Sequence, residues 1–172
     1  MNLVLGFRER GHFAAEEANI AKATAANIAP LNRAVLMLRV LLGALFVAHL
    51  YWKFAVLPAG LPGWWRNLVA NGYPGFVPAY VLSAELAGAL LLIPGVLARY
   101  VALYTMPMML GAAHFWLVRK GFYFTQAGAE LPLVWLALLG ILVSAGDGEA
   151  ALVASPDPRR LYRRLSGGSA GA

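Results

Sequence analysis

An all-α polytopic membrane protein, with four transmembrane helices packed as an antiparallel bundle, is the fold class that this 172-residue sequence predicts. Three observations predict it. Hydrophobic residues make up 60% of the chain against 13% charged, and the mean hydropathy is +0.65, a balance unsuited to a water-soluble core. Four apolar stretches, Ala34 to Leu57, Val77 to Ala98, Tyr100 to Val118 and Leu131 to Ala145, each come near the roughly 20 residues that a spanning helix needs. The five Trp fit rings anchored at two membrane interfaces, because an indole is an apolar body with one polar tip.

The elements follow in chain order. Residues 1-32 read as a cytoplasmic or surface arm, with an Ala-rich helix from Gly11 to Ala29 that Pro30 is expected to stop. The opening apolar run is too short for a signal-peptide core, so the first span is expected to insert the chain and remain in it. Residues 33-152 hold the four spans. Between the first two, a loop rich in Pro and Gly is expected to place a short interfacial helix, Trp64 to Ala70, with its indoles at headgroup level and Arg66 and Asn67 in water. A tight connection around Arg99 makes spans two and three a hairpin. Pro94 and Pro107 are expected to kink them. Residues 153-172 form a basic tail with a Gly/Ser end.

Charge sets the orientation. Outside the spans the side carrying the termini has nine Arg and Lys, and the other side has three, Arg66, Arg119 and Lys120. The positive-inside rule then puts both termini in the cytoplasm. A net charge of +6 and a pI near 10.0 raise nucleic acid as a partner, but the basic residues lie in the N-terminal arm, the interhelical loops and a C-terminal cluster, an arrangement for which anionic lipid headgroups are the simpler partner. The partners expected are therefore the bilayer and other membrane or redox subunits, with no nucleic acid. The absence of Cys removes thiolate metal sites, iron-sulfur clusters and a cysteine nucleophile, and no metal site is expected. Nor does the chain carry GxGxxG, GxxxxGK, HExxH or GxSxG.

Ionisable groups inside spans are costly, so they are the informative positions. They are Arg39, His49, Lys53, Glu85 and His114, with Glu130 at a span boundary. At about 1.5 Å per residue, His49 and Glu85 both lie roughly 12 Å below the outer surface, with Lys53 one turn above His49 and His114 close to the height of Lys53. His49 and Lys53 are spaced i to i+4 and are expected to face one way. Glu85 is the natural counterion of Lys53. Two readings of that pair stand: a structural ion pair fixing helix register, or a ligand or proton-handling site. Glu130 also has a plain reading, a carboxylate at a helix N-terminus. Arg39 is expected to snorkel to the cytoplasmic headgroups.

Several short elements recur in order: His49-Leu50-Tyr51-Trp52-Lys53 closing the first span; Gly72-Tyr73-Pro74; Ala84-Glu85-Leu86 with Gly88, Leu90 to Leu92, Gly95 and Arg99; Gly121-Phe122; Glu130, Pro132 and Leu133; and Gly146 with Gly148. From Arg33 to Leu152 the chain resembles the DoxX family of small four-helix membrane proteins. It differs in having Gly88-Ala89 where the family often has a Gly pair, and in its long arm. The resemblance implies a location in a bacterial-type inner (plasma) membrane and similarity to the small subunit of a thiosulfate:quinone oxidoreductase. It also implies at most a subunit of an oxidoreductase, not a complete enzyme.

The leading expectation is a membrane subunit of a quinone-linked redox system. In it His49 or His114 would hydrogen-bond a quinone oxygen, Lys53 would stabilise developing negative charge, Glu85 would pass protons, and Glu130 would line the cofactor site. The alternatives are a non-catalytic accessory or scaffold subunit docking through its arm, a b-type haem between His49 and His114, disfavoured by their offset in height, and a small transporter.

Overall fold

The computed structural model of the protein describes residues 2–156, with side chains from residue 16 onward other than those of residues 25 and 27. The basic cluster expected at Arg159 to Arg164 lies outside the described residues. Among those described the fold is all-helical, with no strand beyond one isolated parallel bridge between Val96 and Val153. The helices are α1 (Asn2–Tyr51), α2 (Gly60–Ala70), α3 (Phe76–Leu91), α4 (Ala98–Lys120) and α5 (Glu130–Ala145). A π-helical turn, Trp52–Val56, follows α1, and a 3-10 turn, Phe124–Gln126, precedes α5.

Contacts divide the chain into two units, Met1–Ala34 and Val35–Ala172. In the first, the described side chains from Glu16 to Pro30 are all exposed. The expected stop at Pro30 does not occur, and helix α1 continues through it. The ring's fixed φ suits a helix, and the missing N–H removes one bond from a long run of Ala-rich helix formers.

In the second unit the buried side of α1 follows Val35, Arg39, Leu42 and Phe46 and continues to Lys53 in the π turn, a spacing of three, four and seven that keeps one stripe inward. Gly88 of α3 lies on the Phe46 ring, so closely that a Cβ there would overlap it. The Phe46 ring also meets Trp135 of α5 edge-on, centroids 5.2 Å apart. Helix α4 packs on α3 and most extensively on α5 through Val101, Ala102, Thr105, Met108 and Met109. Leu92, Leu139 and Leu142 complete the core.

Two helical stretches are long and apolar enough to cross a membrane, 16–56 and Ala98–Lys120, while α3 and α5 are apolar but shorter. The expected second span, to Ala98, is cut at Leu91 by Pro94 and Gly95, which end α3 in a turn instead of kinking a longer helix. Pro107, by contrast, sits inside an unbroken α4. A helix is present where a short one was expected, α2, one turn longer than the sequence indicated, with Trp64 and Trp65 half-buried and Arg66 and Asn67 exposed.

Candidate functional site

The site begins where α1 loses its regular pitch. Pro58 forces Leu57 into extended backbone (φ −66°, ψ 123°), and the helix closes with a wider turn in which the Leu57 N–H donates to the Trp52 carbonyl at 2.9 Å. In that π turn Lys53 is the one buried side chain. Its ammonium donates to Glu85 Oε1 of α3 in an ion pair, with both side chains about 95% buried. Trp64 of α2 covers the ammonium, Nζ lying 4.5 Å from the ring centroid, a cation–π contact over the pair.

Lys53–Glu85 is the one side-chain ion pair among the described residues. It leaves Glu85 Oε2 buried with no hydrogen-bond partner. An ionised carboxylate can accept about four hydrogen bonds, so this oxygen retains capacity for a donor brought from outside the chain.

The other sequence-derived site residues are placed less centrally. His49 is exposed; its ring stacks edge-on against Trp135 with centroids 4.9 Å apart, and Nδ1 lies 3.1 Å from the Leu45 carbonyl oxygen. Trp135 therefore links His49 to the core beside Phe46. His114 is exposed on α4 and makes no side-chain hydrogen bond among the described residues. The Glu130 Oε2 accepts the Phe124 N–H at 3.0 Å, and the Glu130 N–H donates to Phe122 at 2.8 Å, so this carboxylate braces the loop into α5. The structure thus joins Lys53 and Glu85, sets His49 one aromatic ring away from the core, and places His114 and Glu130 in other surroundings. No group of three metal-ligating side chains converges among the described residues.

Sequence reasoning missed Trp64 as the cover of Lys53, because the loop's aromatic pair reads equally well as an interface anchor. It also missed a second polar centre at the other end of the α1 stripe, 14 residues and so ~21 Å from Lys53. Arg39 does not snorkel. It is fully buried, and its Nη2 donates to the Ala150 carbonyl at 3.1 Å. A strap, 146–156, crosses the α3–α4 turn here, with Leu152 and Val153 N–H groups donating to Pro94 and Gly95 and the Leu97 N–H donating to Val153. Asp147 pins it: Oδ1 accepts the Arg99 N–H (2.9 Å) and the Ser155 hydroxyl (2.9 Å), and Oδ2 accepts the Ser155 N–H (2.7 Å). The signal in the sequence was Gly146-Asp147-Gly148, a short carboxylate between two glycines that both adopt positive φ.

Burial alone would push the Asp147 carboxyl up, but the Arg99 and Ser155 donors and the Arg99 charge outweigh it and hold the group below the ordinary value of 3.8. A group whose folded pKa is depressed stabilises the fold fully above its unfolded value and ceases to do so as pH falls through the folded one. Asp147→Asn is therefore expected to lose about 2 kcal/mol at pH 6, and the gap to the parent should close below pH 3.8. Thermal unfolding in detergent at pH 6 and pH 3 checks this; an equal gap at both would show that the charge of Asp147 contributes nothing.

No curated protein and no solved structure matches the chain. One family model does, over residues 34–119, which takes in α1 from the start of its buried stripe, the π turn with Lys53, Trp64, Glu85 and all but the last residue of α4. That is half of the chain, and it ends short of Glu130 and the strap. On that match, the chain belongs to the DoxX family of membrane proteins.

Proposed function

We infer that the protein is a membrane subunit of a quinone-linked redox system, crossing a bacterial-type inner membrane four times with both termini cytoplasmic. The shorter α3 and α5, at 16 residues each, cover about 24 Å and would cross with their flanking turns or a locally thinned bilayer.

The observation that carries the reading is the unpartnered, buried Glu85 Oε2 beside the Lys53 ammonium. The residues present fit a quinone head, which supplies reversible redox chemistry coupled to proton uptake and release. Lys53 offers a cation to a carbonyl oxygen carrying negative charge, Glu85 Oε2 accepts a proton or a hydroxyl hydrogen bond, and Trp64 gives a flat apolar wall that limits water. His49, held by the Leu45 carbonyl and Trp135, is exposed one turn before Lys53, and in this reading it exchanges protons at the edge of the site.

Decyl-ubiquinone titrated into the detergent-solubilised full chain should quench tryptophan fluorescence saturably. Glu85→Gln, which keeps the shape of the side chain and an oxygen for the Lys53 ammonium, should weaken that binding at least tenfold; it should still unfold cooperatively, at a lower temperature than the parent because the buried ammonium loses its counterion. Undiminished binding by Glu85→Gln would remove Glu85 from the site. A native mass spectrum of the protein from its own membranes separates this reading from an accessory subunit, which the exposed Ile20, Ile28 and Leu31 near the start of α1 favour. A quinone-sized adduct supports the first, and a bound protein with no small-molecule adduct supports the second.

A further inference from the structure

We propose that Arg39 and Arg99 form a second binding site, independent of the quinone reading, for a phosphate oxyanion at the end of the molecule opposite Lys53. Both guanidiniums lie at the strap, Arg39 against Gly95 beside Ala151 and Arg99 against Gly146. Asp147 lies within electrostatic reach of both arginines, yet its two oxygens are taken by the Arg99 backbone N–H and by Ser155, and it forms no side-chain ion pair with either guanidinium among the described residues. Arg39 is fully buried; one of its nitrogens has a neutral carbonyl partner, and Nε and Nη1 have none. Arg99 Nε is likewise buried without a partner.

The fold makes room for these groups: Arg39 lies against Gly95 and Arg99 against Gly146, whose Cβ positions the guanidiniums overlap. A buried positive charge in excess of its carboxylates costs several kcal/mol unless an anion and its hydrogen bonds compensate it. Guanidinium N–H pairs match a phosphate's oxygens in charge and spacing. Arg99 is half-buried, so its guanidinium is the more accessible of the two. The oxyanion is either the phosphodiester of an anionic lipid headgroup or free phosphate.

The test uses the full chain in a neutral detergent, with its unfolding temperature followed against three probes: phosphatidylglycerol, inorganic phosphate and phosphatidylcholine. Phosphatidylglycerol or inorganic phosphate should raise the midpoint saturably, by about 5 °C at a hundredfold excess over the dissociation constant. A response to the lipid alone identifies a headgroup site, and a response to phosphate alone a soluble-anion site. Arg99→Gln should weaken the half-saturating concentration at least tenfold, whereas neutralising Arg159, Arg160, Arg163 and Arg164 together should leave it unchanged. Arg39→Lys, which keeps the charge but removes the fork, should weaken it as well. The proposal is overturned if neither anion shifts the midpoint, if Arg99→Gln responds like the parent, or if the tail variant alone abolishes the effect.

Discussion

Lys53→Met is expected to destabilise the fold by about 3 to 5 kcal/mol, because it leaves the Glu85 carboxylate buried with neither its counterion nor a donor on Oε2. Glu85→Leu should cost a similar amount through the stranded ammonium, which would keep only the Trp64 ring over it. The double variant Lys53→Met/Glu85→Leu should recover most of the loss or exceed the parent, since apolar side chains of similar volume carry no desolvation cost. Unfolding in a graded mixture of mild and denaturing detergent measures all four proteins and gives the coupling energy directly. A double variant that is stable yet binds no decyl-ubiquinone would separate the pair's chemical role from its structural one. A single Lys53→Met variant as stable as the parent would mean that the pair is solvated in the membrane, and the site as described would fail.

Gly95→Ala should cost about 2 to 4 kcal/mol for two reasons that act together. The backbone there has φ +74°, which an L side chain rarely adopts, and the added Cβ would stand 2.9 Å from the Ala151 Cα and inside the space of the Arg39 guanidinium. The strap cannot move away without breaking its bonds to Pro94 and Gly95. Gly75→Ala is the matched control. Its φ is −58° and nothing lies near its Cβ position, so the change should be within about 0.5 kcal/mol of zero. Equal effects at the two glycines would show that the strap is not seated on Gly95 in solution.

The Lys53–Glu85 meeting was legible because charges are scarce in apolar runs and depth along a helix follows from counting residues. His49 was read as a member of the same face and is at its edge. Four residues turn a helix by about 400°, leaving it some 40° round from Lys53, where Trp135 takes its inner side. His114 was read at the height of Lys53 and Glu130 at a span boundary; the structure gives both other surroundings, since depth says nothing about rotation about the helix axis. Arg39 was misread for a different reason. Snorkelling is what a long side chain does when nothing covers it, and the carbonyl that covers it belongs to a residue 111 positions downstream. Pro94 was recognised as a breaker, but whether it kinks or ends a helix depends on the Gly95 turn and the strap that docks on it.

Both inward charges of α1 find their partners much later in the chain, Lys53 at a separation of 32 residues and Arg39 at 111. During synthesis at about 5 to 20 residues per second, Lys53 is therefore made about 2 to 6 s before Glu85 exists, and Arg39 about 6 to 22 s before Ala150 does. Through that interval the nascent helix carries two uncompensated cations. It is expected to linger at the insertion machinery or at the bilayer edge until α3 emerges, so that the Lys53–Glu85 pair closes first and the strap covers Arg39 last.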